Sequence, residues 1–262
     1  MNIILIGAGN VATHIGIAFR EAGHTIVQVY SGTEKSARQL AKKLSTDFTS
    51  DIKAISKKTD IYIIALKDVA IENFIRQFNR EDKIIVHTSG SMPMSVFEKK
   101  GQRRKVQGIG NFGVFYPLQT FSKNRKVDFI NIPICIEASD KKSGEKLRLL
   151  ARTVSKNVHM INSRQRRVLH IAAVFANNFT NHLYAVAEAI LRKENLSFDI
   201  LKPLIQETAE KACTGSPSAM QTGPAIRGDR KIIQKHIAYL SFSPHHQKLY
   251  QLLSQSISKK RK

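Results

Sequence analysis

Apolar positions follow two different periods along this chain, and the change between them divides it. In the first part, short apolar runs alternate with segments whose apolar positions recur every three or four residues. Ile3, Ile4, Leu5 and Ile6 form an uncharged run, the pattern of a strand buried on both faces. Val11, Ile15, Ala18 and Phe19 follow at helical spacing, and Gly23 ends that helix. Further strands are expected at Thr25 to Tyr30, Asp60 to Leu66, Ile84 to His87, Val106 to Tyr116, Ile132 to Glu137 and Asn157 to Ile161, with a short third strand at Thr46 to Phe48. Helices are expected at Glu34 to Leu44, from Asp68 to Phe78 and from Lys141 to Val154, with Asp68 capping the second of these. Such alternation predicts a right-handed, doubly wound, mostly parallel α/β sheet over residues 1–162.

From Ser163 onward the period stays helical and no further strand is expected. Arg164 to Arg192 reads as one long helix, with apolar positions Val168, Ile171, Ala172, Phe175, Phe179, Leu183, Val186 and Ile190. A helix this apolar is expected to form the core of an all-helical C-terminal domain over residues 163–262. Helices follow near Asp199 to Cys213, Arg230 to Ala238 and Pro244 to Ser256. Between the first two lies a long Gly- and Pro-bearing loop, Gly215 to Asp229, and long ordered loops tend to be functional.

The first strand runs directly into Gly7, Gly9 and Ala12, a G-x-G-x-x-A fingerprint of a Rossmann-type dinucleotide site. Each position has a physical task. Gly7 makes the tight turn, Gly9 lets a pyrophosphate approach the backbone, and Ala12 lets helix and strand pack closely. Asn10 and Val11 open the helix, whose N-terminal amides and positive dipole end favour phosphate. In NAD sites an acidic residue about twenty positions on holds the ribose 2′-hydroxyl. Here the second strand ends Tyr30-Ser31-Gly32-Thr33 with no carboxylate, and Lys35 and Arg38 follow. The hydroxyls of Ser31 and Thr33 and the two cations suit a 2′-phosphate, so NADP is expected rather than NAD. The alternative is that Lys35 and Arg38 are a solvated helix face.

Ligands of open α/β sheets bind at the carboxyl ends of the strands. Leu66 and Lys67 end one strand there, and Thr88 and Ser89 follow another in the loop His87-Thr88-Ser89-Gly90-Ser91. All four are expected along the path of a dinucleotide. Hydride transfer also needs a proton donor or acceptor beside the reacting atom. His170 is the candidate, because imidazole titrates near neutrality. Asn177 and Asn178 lie two turns further along the same side of a regular helix, and either could hold substrate or the nicotinamide amide, Asn177 being the candidate site residue. Arg227, in the Gly-Pro loop, could clamp a carboxylate bidentately. The structural alternatives are a packed, hydrogen-bonded His170, helix-to-helix bonds from the asparagines, and an Arg227–Asp229 ion pair, with Asp229 capping the next helix.

Composition narrows the class. The chain has 262 residues and is 42% hydrophobic, enough for a sizeable core and too apolar for a disordered chain. No apolar run approaches twenty residues and no basic segment precedes the first strand, so neither a membrane span nor a signal peptide is expected. Cys135 and Cys213 are far apart, and are expected as buried free thiols in a reducing cytoplasm. His245 and His246 are adjacent and cannot face one metal from a helix, so no metal site is expected. The net charge of +22 is high, with basic runs at Lys99 to Lys105, Arg164 to Arg167 and Lys259 to Lys262, the last read as a frayed tail. No nucleic-acid motif accompanies it, so specific nucleic-acid binding is not expected; a basic proteome or attraction of anionic cofactors and substrates would each account for the charge.

Five motifs together resemble a known group. They are IGAGNVATHI at the start, HTSGS around Thr88, GVFYPLQTFS from Gly113, HIAAVFANNF from His170 and QTGPAIRGD around Gly223. The chain resembles the proteins labelled NADP-dependent oxidoreductases that join an N-terminal Rossmann-like domain to a helical domain of uncharacterised function. More distantly it is similar to the β-hydroxyacid dehydrogenase, 6-phosphogluconate dehydrogenase and pyrroline-5-carboxylate reductase group. The resemblance implies oxidoreductase chemistry on a small-molecule substrate and a helical domain that often dimerises. A homodimer is also expected from the long helix itself, whose apolar surface exceeds what three short partner helices cover. One departure matters: several relatives place a catalytic lysine in the long helix with an asparagine four residues on. Here the positions hold His170 and Val174, so the lysine mechanism does not carry over. Two other functions fit the same residues: a dinucleotide sensor without turnover, and a nucleic-acid binder with its charge gathered on one face.

Overall fold

The computed structural model describes residues 1–78, 80–98 and 109–259. The start of the expected strand at Val106, the Lys99 to Lys105 run and residues 260–262 of the basic tail lie outside them. The chain forms two compact units, Met1–Asn178 and Phe179–Lys262.

The first unit is built on an eight-stranded sheet in the order β3-β2-β1-β4-β5-β6-β7-β8. The strands are β1 (Asn2–Ile6), β2 (Thr25–Tyr30), β3 (Asp47–Thr49), β4 (Ile61–Ile64), β5 (Arg80–His87), β6 (Ile109–Pro117), β7 (Ile134–Ala138) and β8 (Val158–Met160). Neighbours are parallel except β6 and β7, so the sheet is mostly parallel. Side chains alternate across each strand. Ile3 and Leu5 therefore join one buried cluster with α1 (Asn10–Glu21), α2 (Glu34–Leu44) and α4 (Lys141–Arg152). Ile4 and Ile6 join the opposite cluster with α3 (Asp68–Gln77). The uncharged Ile3–Ile6 run reflects this two-sided burial, since all four residues are fully buried.

Asp68 does not cap α3. The N-cap is Lys67, and Asp68 occupies the first turn, where its carboxylate accepts the Ser91 hydroxyl instead. The acid still sits beside the positive end of the helix, where it is electrostatically favoured.

The long apolar segment is not one regular helix. It comprises α5 (Ser163–Ala173), a π-helical turn (Val174–Phe179) and α6 (Thr180–Lys193). Nor do its apolar positions form a core: Val168 is 62% exposed and Ile171 54%. The inward positions of α5 are polar instead, with Arg166 fully buried and His170 partly so.

The second unit holds α6, α7 (Lys202–Thr214), α8 (Pro224–Arg227), α9 (Arg230–Tyr239) and α10 (Pro244–Lys259). The helix α8 lies within the expected Gly215 to Asp229 loop. Asp229 caps α9 by accepting the Ile232 amide at 3.2 Å. Among the described residues of this unit, Ala225 and Leu240 are the only buried apolar side chains, and neither is fully so. Cys213 is exposed on α7 rather than buried, while Cys135 is buried on β7.

Candidate functional site

The carboxyl edge of the parallel strands gathers the candidate residues of the first unit. At the end of β1, Gly7 has φ +120°, and its amide donates to the Tyr30 carbonyl at 2.7 Å. A Cβ on Gly7 would stand 2.3 Å from the Ala65 carbonyl oxygen, so only glycine fits. Gly9 is the N-cap of α1 and its situation is the reverse. A Cβ there would meet nothing within 4 Å. The opening lies directly above the first-turn amides, which lack acceptors within the helix. An exposed Gly9 backbone, first-turn amides with no side-chain cap and the helix dipole together make a cradle with the open space and the sign of charge that suit a phosphate. Ala12 is fully buried between helix and sheet.

The β6–β7 connection is tied to the same helix. The Asn10 side-chain amide donates to the Phe121 carbonyl at 2.7 Å, and His14 Nε2 lies 2.9 Å from the Ser122 carbonyl while its ring stacks on Phe121. Asn10 therefore contributes by holding this connection beside the cradle, and Val11 is partly buried behind it.

The β2 end is more open. Ser31 donates its amide to Thr49, and the Thr33 hydroxyl donates to Ser36 at 2.8 Å. Lys35 is exposed. Arg38 is paired with Glu34 at 2.5 Å and lies over the Phe48 ring, so its charge is partly neutralised within α2. Lys35 is the cation of this pair that a 2′-phosphate could recruit without breaking an ion pair.

At the β4 and β5 ends, Leu66 is partly buried, Lys67 exposed, and Thr88 and Ser89 buried. The Thr88 hydroxyl donates to the Ile64 carbonyl, and Ser89 Oγ accepts the amides of Ser91 and Met92. These hydroxyls shape the loop. Their loop also holds His87, fully buried and stacked on Phe97. The Ser89 amide donates to its Nδ1 at 3.2 Å, so the neutral ring carries its proton on Nε2. Burial, and then the Arg166 charge, push the His87 pKa down to about 3.

Next to this loop stands His170. Its Nδ1 lies 3.1 Å from the Tyr116 hydroxyl, with the two rings edge to face at 6.1 Å. Gly90 closes the contact: a Cβ there would sit 2.6 Å from His170 Nδ1 and 2.7 Å from Tyr116 Cζ. Burial raises the Tyr116 pKa to about 12, so the phenol keeps its proton. His170 is fixed through its helix one turn earlier. There the buried Arg166 guanidinium donates to Glu137 on β7, to the Met92 carbonyl at 2.6 Å and to Ser163 Oγ at 3.2 Å. Ser163 also donates to Glu137 at 2.7 Å and accepts the Met94 amide at 2.9 Å. This network pins α5 to the sheet and to the loop after β5.

The π turn changes the asparagine register. Its i→i+5 bonds carry one extra residue per turn. Asn178 thus lies closer to the His170 face than Asn177, and both are exposed. Arg227 ends α8 in the second unit, and no ion pair joins it to Asp229 among the described residues. Among the described residues no three His, Cys, Asp or Glu side chains gather as metal ligands would. No helix there is long and apolar enough to cross a membrane.

Comparison with known proteins decides the family. A structure described as a putative NADP oxidoreductase from Bacteroides fragilis shares 45% identity over 98% of both chains, with a TM-score of 0.89. The chain belongs to this NADP oxidoreductase family. Residues 2–90 match the family described as NADP oxidoreductase, coenzyme F420-dependent, and residues 132–257 match a domain of unknown function, DUF2520. The fold recurs in a protein of Thermotoga maritima at 20% identity and TM-score 0.75, covering 98% of both chains. It recurs also in 1-pyrroline-5-carboxylate reductase from Streptococcus pyogenes at 12% identity and TM-score 0.62, covering 99% and 98%. A comparison with curated proteins gives no match.

Proposed function

We propose that this oxidoreductase uses NADPH to reduce a small, anionic metabolite, or NADP to oxidise it, with His170 exchanging the proton. The observation that carries the reading is the Gly90–Tyr116–His170 contact on the sheet edge that also bears the Gly7–Gly9 cradle. NADP is the cofactor of the family, and the open Gly9 backbone and free first-turn amides of this chain fit its pyrophosphate. Bound there, NADP(H) supplies or accepts hydride. This chain's own residues do the rest. Gly7 to Ala12 hold phosphate, Lys35 with Ser31 and Thr33 attract the 2′-phosphate, and Leu66, Lys67, Thr88 and Ser89 wall the path between strand ends. His170 Nε2 has no partner among the described residues and is the atom from which a proton would pass. Asn177 or Asn178 would orient substrate.

Replacing His170 by Ala tests the assignment. NADPH affinity should persist, while NADPH-dependent turnover on a panel of small anionic carbonyl and imine compounds, with coenzyme F420 included, should fall about 10²- to 10⁴-fold, the usual value of a positioned acid–base. Turnover equal to the wild type would remove His170 from the chemistry.

A homodimer through the helical unit belongs to the same proposal. A helical unit with two buried apolar side chains among its described residues, and with Ile200 64% and Leu204 62% exposed, lacks a core of its own. A second copy would supply the apolar partner, within an interface of the usual size of roughly 1,600 Å². Light scattering at micromolar concentration should give twice the chain mass, and a monomer would refute it.

A further inference from the structure

We propose that Tyr116 is a positioning residue that sets the tautomer of His170, holding the neutral imidazole with its proton on Nε2. The inference rests on the reading of His170 as the proton-exchanging group, and it names what prepares that group.

The geometry carries it. Tyr116 is the next-to-last residue of β6 and reaches His170 Nδ1 at 3.1 Å, with the rings edge to face. A phenol offers one proton, and a neutral imidazole offers one donor and one acceptor nitrogen. His170 Nδ1 is the one hydrogen-bond partner of the Tyr116 hydroxyl among the described residues. If Nδ1 bore the proton and donated to the phenol oxygen, the phenol proton would have no acceptor among the described residues. With the phenol donating to Nδ1, the phenol proton has its acceptor, and the ring proton falls to Nε2. Gly90 makes the pairing tight, because its missing Cβ is the space that His170 and Tyr116 occupy. The Arg166–Glu137 pair anchors α5 one turn before His170, so the backbone that carries the ring is held against the sheet.

The consequence concerns catalysis. A ring with Nε2–H donates its proton outward, and Tyr116 keeps that form populated between turnovers. Because burial holds the phenol protonated, it serves as a fixed donor and takes no part as a proton source.

Nitrogen-15 NMR of the histidine-labelled full chain at neutral pH tests the idea without any substrate. In the wild type the His170 ring, assigned by its loss in His170→Gln, should show a protonated Nε2 and an unprotonated Nδ1. Tyr116→Phe keeps the ring and removes the hydroxyl. It should shift the tautomer ratio by about 2- to 10-fold, as expected for one neutral hydrogen bond. It should also lower kcat while leaving NADPH affinity unchanged. A wild-type ring protonated on Nδ1, or a tautomer ratio identical in Tyr116→Phe, would overturn the proposal. Those results leave the role of His170 standing. Conversely, wild-type turnover in His170→Ala would remove the catalytic reading while the tautomer measurement still judged Tyr116.

Discussion

Acidification should destabilise the fold through His87, and the size of the effect follows from its environment. The ring is fully buried, stacked on Phe97, and close enough to feel the Arg166 charge. Burial first, and then that charge, bring its pKa from 6.5 to about 3, against weaker opposing contributions from the Pro93 carbonyl and Asp68. The folded state therefore holds the ring neutral, while the unfolded chain takes up a proton below pH 6.5. Stability is complete above that pH and is lost as pH falls toward about 3. Each unit is worth about 1.4 kcal/mol, so the loss between about pH 6.5 and about pH 4.5 is roughly 2.7 kcal/mol, with an upper bound near 5 kcal/mol across the whole window. Carboxylates titrate in the same range, so the comparison must be with His87→Phe, which preserves a ring against Phe97 and cannot titrate. Removing the acceptor for the Ser89 amide costs His87→Phe about 1 kcal/mol at neutral pH. Urea denaturation at about pH 7 and about pH 4.5 gives the two pH dependences. The wild type should lose about 2–3 kcal/mol more than the variant on acidification. Equal losses in both would show that His87 takes up its proton as easily folded as unfolded.

Gly9→Asp should fold normally, since a Cβ there meets nothing within 4 Å, yet lose NADPH affinity at least about 100-fold because a carboxylate would face the phosphates; isothermal titration decides it, and unchanged affinity refutes the cradle. In the same titration NADPH should bind more tightly than NADH. Arg166→Met should cost about 3–5 kcal/mol in urea denaturation by leaving Glu137 without its buried partner, whereas Arg166→Met with Glu137→Leu should recover much of it.

The cofactor unit was legible because each of its signals is local. An uncharged four-residue run, a glycine turn and a helical period adjoin one another at Ile3 to Phe19, and their order alone implies the strand–turn–helix. The site residues that went unread depend on contacts distant in sequence. Tyr116 and His170 are 54 positions apart, and Arg166 and Glu137 are 29. Arg166 was hidden in a basic run: Arg164 and Arg167 are exposed, and one position of the helix turns inward to a carboxylate on β7. Ser163 and Glu137 were the available hints. The π turn carries no compositional mark, so the asparagine register could not be read. The outward Val168 and Ile171 mislead for another reason, since apolar periodicity marks which face of a helix is apolar and not whether anything in the chain covers it.

A crystal structure of the full chain with NADPH tests the central claim most directly. The account predicts pyrophosphate over Gly9, and the nicotinamide beside the Thr88–Ser89–Gly90 loop with its C4 facing His170, leaving room for a substrate atom within hydrogen-bond reach of Nε2 or one water away. A His170 ring more than about 8 Å from C4, with no water path between them, would contradict it.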